Sequence, residues 1–205
     1  MWILYAFGSA FFAGLTAVLA KCGIEHTNSH LATALRTIVV LIFSWIMVGI
    51  VGSFSTIHTI THKTFLFLIL SGLSTGASWL CYFRALQLGN INKVTAVDKT
   101  SVVLTIILSF ILFKESVTVY KIIGMIILTT GTYLMVEKKK GTAQTSNAWL
   151  LYAVLSVVFA SLTTILGKIG ITNIESNLGT AIRTSVVLIM SWIVVFVTHS
   201  EMNMK

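Results

Sequence analysis

Long stretches without Asp, Glu, Lys or Arg constrain this chain more than any other feature of its sequence. Four of them run from 2 to 20, 37 to 57, 64 to 83 and 141 to 167. A helix of roughly 20 mostly apolar residues crosses the hydrocarbon of a bilayer, so each run is long enough to span a membrane. With 56% hydrophobic and 10% charged residues, the composition is not that of a soluble globular domain. We therefore predict an all-α integral membrane protein.

Three shorter charge-free runs, 100 to 113, 122 to 136 and 184 to 198, complete about seven predicted helices. The first two are too short to span alone, so helices 4 and 5 must include charged residues near their starts. If helix 4 begins near Val94, Asp98 and Lys99 are its fifth and sixth residues.

The chain also contains an internal repeat with an offset of 147 positions. More than half of the positions from Trp2 to Ser53 are identical in residues 149 to 200. The match includes residues that apolar composition alone would not repeat, namely Lys21 and Lys168, Arg36 and Arg183, and Trp45 and Trp192. Self-similarity of this kind predicts two copies of one structural unit.

The two copies are predicted to enter the bilayer from opposite sides. Five helices, an odd number, separate equivalent points, which defines an inverted-topology repeat. Such repeats are typical of secondary transporters, in which two oppositely oriented halves form a site near the midplane of the bilayer. The second copy is expected to hold only helices 6 and 7, since residues 54 to 140 have no counterpart.

These features resemble the EamA type of the drug/metabolite transporter superfamily. Residues 1 to 140 are similar to one complete five-helix repeat, 141 to 147 form a polar linker, and 148 to 205 resemble a partial second repeat. The stretches that carry the resemblance are 21–24, 32–37, 76–89, 98–103 and 115–118. The family often has Pro at the position of Ala96 and Gly at that of Lys114. The resemblance implies a carrier of metabolites, amino acids or drugs in a cytoplasmic membrane of bacterial type, in contact with lipid.

Charge gives a weak prediction of orientation. With the N-terminus outside, nine of the 14 Lys and Arg residues fall on the cytoplasmic side, and five fall outside. The resemblance implies the opposite orientation, so both stay open, as does dual insertion. Dual insertion would permit an antiparallel homodimer.

Asp98 is the first candidate for a functional role. A carboxylate inside a membrane helix is costly unless it is paired or solvated, and it can hold a proton or a cationic solute. The alternative is structural. An acid near a helix start is favoured by the helix dipole and can pair with Lys93, Lys99 or Arg84. Lys99 and Arg84 are themselves candidates for solute binding or coupling.

Arg36 and Arg183 are equivalent in the repeat and are expected five residues into helices 2 and 7. They can line an aqueous cavity or extend to the lipid headgroups. Trp79 and Tyr82 lie within one turn of helix 3 and can form an aromatic pocket for a solute, or can anchor the helix at the membrane interface.

Small residues predict close helix packing. Gly72 and Gly76 are spaced four apart in helix 3, and Ala6, Ala10 and Gly14 follow the same spacing in helix 1. Such residues let the backbones of two membrane helices approach each other.

Other functional classes have little support in the sequence. It contains no catalytic motif, which argues against an enzyme, and no cofactor or metal-ligand spacing around Cys22 and Cys81. Basic residues are scattered rather than gathered into a stripe, which argues against nucleic acid as a partner. A transporter, or a half-transporter that needs a partner, is favoured. The alternatives are a truncated inactive fragment and a seven-helix receptor.

Overall fold

The computed structural model describes residues 2–23, 28–116, 118–135, 148–171 and 174–198. Within them, seven α-helices confirm the predicted all-α membrane architecture. They are α1 (Trp2–Gly23), α2 (Ser29–Val51), α3 (His62–Leu88), α4 (Ile91–Phe113), α5 (Val119–Met135), α6 (Ala148–Gly170) and α7 (Ser176–Val197), with a 3-10 helix at Ser53–Thr59. The predicted linker 141–147 and the tail from 199 lie outside the described residues. Six of these α-helices are long and apolar enough to cross a membrane, and α5 is shorter.

Three helices begin earlier than the sequence indicates, because polar residues cap them. Asn90 accepts a hydrogen bond from the backbone N–H of Asn92 at 2.9 Å, so α4 starts at Ile91 rather than near Val94. Asp98 is therefore the eighth residue of its helix, about 10 Å along the axis at 1.5 Å per residue. Arg36 and Arg183 are likewise eighth rather than fifth.

Helices α2 and α7 pack against each other in opposite directions through two matching clusters. One cluster joins Leu31 and Ala34 of α2 to Trp192 and Val195 of α7. The other joins Trp45 and Val48 of α2 to Leu178 and Ala181 of α7. Every member of the first cluster becomes a member of the second when 147 is added or subtracted. The two copies of the repeat thus face each other across an approximate twofold axis, as an inverted repeat requires.

Helix α3 lies between α6 and α7. Its serines donate to backbone carbonyls of α6, Ser71 to Thr163 at 2.9 Å and Ser78 to Ser156 at 3.1 Å, and this register is antiparallel. Helix α6 also packs along α4. The second copy is therefore embedded in the first rather than forming a separate bundle.

The glycines that were expected to mediate packing have different surroundings. A Cβ added to Gly72 would lie 2.8 Å from Val186 Cβ and 2.9 Å from the carbonyl oxygen of Arg183. One added to Gly76 would lie 2.7 Å from the Met190 sulfur. Gly14 has nothing within 4 Å of such a Cβ among the described residues. Close approach to α7 thus depends on the two glycines of α3.

Gly72→Ala should destabilise the protein more than Gly76→Ala. Alanine gains up to about 1 kcal/mol of helix propensity, but overpacking against a backbone carbonyl costs about 1–3 kcal/mol. The Met190 thioether is flexible and can move aside at Gly76. Unfolding of the purified variants in mixed micelles measures the difference. Gly124→Ala, where the added methyl meets open space, is the matched control. Equal losses at Gly72 and Gly124 would contradict the packing argument.

Glu175 caps α7 and ties it to the 3-10 helix. Its carboxylate accepts hydrogen bonds from the Ser53 hydroxyl at 2.6 Å and from the backbone N–H groups of Asn177 and Leu178 at 2.8 and 3.1 Å. The Ser53 hydrogen bond and these backbone donors lower the pKa of the carboxyl from its ordinary value of 4.5. In the repeat, Glu175 stands where Asn28 caps α2.

The contribution of Glu175 to stability should depend on pH. Because the folded state lowers its pKa, the stabilisation is present above pH 4.5 and is lost as the pH falls through the folded value. We expect Glu175→Ala to lose about 1 kcal/mol at pH 7, a typical value for an N-cap, and less at pH 3.

Thermal unfolding of both proteins in detergent, followed by circular dichroism at pH 7, 5 and 3, measures this change. Glu175→Asn, which copies the cap of α2, should show a smaller and pH-independent loss. A constant gap between wild type and Glu175→Ala over this range would show that the ionised carboxylate does not matter.

Candidate functional site

A cavity of about 250 Å³ lies among α1, α2, α3, α4 and α6. Its lining includes five residues that the sequence indicates as candidates, namely Arg36, Trp79, Tyr82, Asp98 and Lys99. Small and hydroxyl side chains, including Ala13, Thr16, Ser78, Ser101 and Ala160, form much of the rest. Ala13 and Ala160 are equivalent positions of the repeat. Both copies therefore contribute the same residue to the cavity wall.

Asp98 is held by one cation and one hydroxyl. Its Oδ2 lies 3.8 Å from Lys99 Nζ, and its Oδ1 accepts a hydrogen bond from Ser156 Oγ at 3.4 Å. Of the three cations considered as partners, Lys99 alone forms an ion pair with it in the described part of the chain. Arg84 donates instead to the side-chain oxygen of Gln87 at 2.6 Å, and it does not line the cavity.

Arg36 lies between the polar cavity and a neighbouring apolar pocket. Its guanidinium lies 4.6 Å from the ring centroid of Trp79 and 5.6 Å from that of Phe83. The second pocket, of about 380 Å³, is also lined by Arg36, together with Leu19, Leu35 and Phe83. One cation therefore faces a polar compartment and an apolar one.

Arg183, the repeat equivalent of Arg36, does not line this cavity. It lies beside α6, where its Nη1 would be 3.5 Å from a Cβ added to Gly167. The difference follows from the sequence, because Trp79 and Phe83 belong to the segment 54–140, which has no second copy. Equivalent arginines thus have different neighbours.

Two features of the site were not predicted. Ser156 of α6 donates a hydrogen bond to the carboxylate of Asp98. Ser78 of α3 donates to the backbone carbonyl of Ser156 at 3.1 Å. The signal that could have identified Ser156 is its identity with Ser9 in the repeat.

Lys114 ends α4 with a φ of 50°, a left-handed conformation that normally favours glycine. Lys114 therefore adopts the left-handed conformation at the position where the resemblance implies glycine.

Glu115 lies outside the cavity and joins the α4–α5 connection to α6. It pairs with Lys168 and lies 3.6 Å from Lys121 Nζ. The hydrogen bond from Lys168 lowers the pKa of the Glu115 carboxyl. Lys168 Nζ also lies 4.7 Å from the ring centroid of Phe113. These groups form an exposed contact between α6 and the C-terminal end of α4.

Within the described ranges, no three His, Cys, Asp or Glu residues are grouped so as to hold a metal ion. Cys22 and Cys81 are both free thiols. The lining of the cavity offers two cations, one carboxylate and several hydroxyl groups.

The antiparallel pair α2 and α7 and the charged cavity among α1, α2, α3, α4 and α6 are features that multi-pass membrane transporters share. The chain belongs to the EamA-like transporter family, whose model matches residues 1–137. A protein of a Sinorhizobium species, described as an uncharacterized transporter in the cobO 3' region, is 41% identical over 134 residues. The match covers 65% of this chain and 95% of that protein. No solved structure matches the chain.

Proposed function

We propose that this chain carries a small metabolite, amino acid or drug-like solute across a bacterial cytoplasmic membrane by alternating access. The observation that carries the proposal is the position of the cavity. Arg36 and Asp98 line it about 10 Å along their helices, and residues of both oppositely oriented copies form its wall. Charged residues inside membrane helices mark solute and ion pathways. The site is a binding site for transport rather than a catalytic one.

The size of the cavity favours a small solute. Pockets for small molecules usually measure about 300–1,000 Å³, and the cavity of about 250 Å³ is slightly smaller than that range. The adjoining apolar pocket can take a hydrophobic part of the same molecule. A large multi-ring compound would not fit into the polar cavity without movement of α1.

Asp98 is the group we propose for proton coupling. Among the residues that the structure describes, it is the acidic one that lies inside a membrane-spanning helix, since Glu115 and Glu175 lie at helix ends. Its two contacts, Lys99 and Ser156, come from α4 and from the second copy of the repeat. A change of its protonation therefore acts on the contact between α4 and α6.

Asp98→Asn should abolish proton-driven transport and leave membrane insertion intact. The amide keeps the size and the hydrogen bond to Ser156 but cannot exchange a proton. Proteoliposomes carrying either protein are tested on a solid-supported membrane with an imposed pH gradient and a panel of amino acids and organic acids. Glu115→Gln, outside the cavity, is the control and should keep wild-type currents. Equal currents for Asp98→Asn and wild type would remove Asp98 from the coupling mechanism.

We also propose that α1 packs against an inverted second copy of this chain. Ala6, Ala10 and Gly14 of α1 are exposed. Their repeat equivalents in α6, Ala153, Val157 and Ser161, are buried against the first copy. In a second copy, α6 already occupies the surface formed by α3 and α4. We therefore place α1 of the second copy, rather than its α3 or α4, against α1 of the first. Two such helices crossing antiparallel would bury the small residues of both.

Disulfide crosslinking tests this arrangement. Single cysteines are placed in a chain whose Cys22 and Cys81 are replaced by alanine. An antiparallel crossing at Ala10 should crosslink Ala10→Cys with itself and Ala6→Cys with Gly14→Cys in a mixed sample. Leu15→Cys, on the opposite side of α1, is the control and should stay monomeric. Crosslinking of Ala6→Cys with itself would indicate a parallel pair, and a monomeric mass for all variants would exclude the homodimer.

A further inference from the structure

We propose that the solute of this site is a small amphipathic anion, a carboxylate with an apolar body, whose carboxylate binds Arg36. The inference rests on the proposed transport function and names its substrate class. The first observation is the charge of the cavity. Its lining holds two cations and one carboxylate, and the carboxylate of Asp98 is already paired with Lys99. One positive charge, that of Arg36, is left without a counter-ion from the protein.

The surroundings of Arg36 confirm that the protein does not neutralise it. No carboxylate of the described residues lies within ion-pair distance of its guanidinium. Its guanidinium carbon lies over the rings of Trp79 and Phe83, which are not carboxylate counter-ions. The guanidinium N–H groups can therefore bind a carboxylate of the solute through two parallel hydrogen bonds. A half-buried cation of this kind is a binding group for an anion.

The neighbouring pocket supplies the second half of the recognition. Leu19, Leu35 and Phe83 line it, and Arg36 lies at its junction with the polar cavity. A solute that places its carboxylate at Arg36 can therefore direct an apolar ring or branched chain into this pocket. A doubly charged polar acid would make no favourable contact with the apolar pocket. An organic cation would be repelled by the excess positive charge of the cavity. The combination selects a monocarboxylate with a hydrophobic body.

Direct binding of matched probes tests the assignment. Benzoate, benzamide and benzylammonium, which have nearly the same shape, are each measured in radiolabelled form against purified protein in nanodiscs of phosphatidylcholine, and the last two also serve as unlabelled competitors of benzoate. We expect saturable binding of benzoate and competition by neither analogue at tenfold higher concentration. A hydrogen-bonded charge of this type contributes enough that Arg36→Gln should weaken benzoate binding by about tenfold or more. Arg36→Lys should keep part of the affinity, since it restores the charge without the fork.

Two variants separate this site from a general effect of charge. Arg84→Gln removes a cation that does not line the cavity, and it should bind benzoate like wild type. Asp98→Asn should bind benzoate more tightly, because it removes a negative charge and releases Lys99. Chromatography and circular dichroism of each variant establish that it is folded.

The possible failures are distinguishable. Tighter binding of benzylammonium, lost in Asp98→Asn, would overturn the anion assignment and leave the solute site in place. Absence of binding for all three probes would overturn both the assignment and the transport function proposed for the cavity. An anionic lipid headgroup has the same chemistry. If phosphatidylglycerol binds in an Arg36-dependent manner and benzoate does not, the site belongs to lipid and the solute assignment is wrong.

Discussion

The antiparallel contact between α2 and α7 is the interaction on which the rest of the structure depends. Its two clusters are the same set of residues used twice, once at each end of the pair. Once α7 runs against α2, its partner α6 is brought beside α3 and α4. The cavity exists because α6 closes one of its sides with Ala160, while α1 lines another with Ala13.

The bilayer explains why hydroxyl and glycine residues are frequent where α3 packs against α6 and α7. Lipid chains are as apolar as leucine, so burial of hydrocarbon does not drive membrane helices together. Close packing and interhelical hydrogen bonds do so instead. Gly72 permits the approach of α7, and Ser71 and Ser78 each donate to a carbonyl of α6. The polar groups that hold the bundle together also line the cavity, as Ser78 does.

Much of the architecture could be predicted from the sequence. Membrane helices are visible as apolar runs without charges, and an inverted repeat is visible as internal identity, and neither pattern depends on tertiary contacts. The predicted starting residues of the helices were less accurate than the predicted number of helices. Caps such as Asn90 lie outside the apolar runs, so hydrophobicity alone does not locate them. The grouping of Arg36, Trp79 and Asp98 in one cavity could not be derived from spacing, because it depends on how three helices rotate against one another. The different neighbours of Arg183 and Arg36, in contrast, follow from the repeat, because the segment that holds Trp79 and Phe83 has no second copy.

The near symmetry of the α2–α7 pair has a consequence for how the protein is inserted. Viewed from either face of the bilayer, the pair presents the same aromatic and aliphatic residues at the same depth. Packing between α2 and α7 therefore does not determine which end of the pair lies on the cytoplasmic side of the membrane. The choice between the two orientations falls to Lys and Arg residues near the ends of the other helices, such as Lys114, which has no counterpart in the second copy. A few charged loop residues can then set the polarity of the whole bundle without any change in its interior.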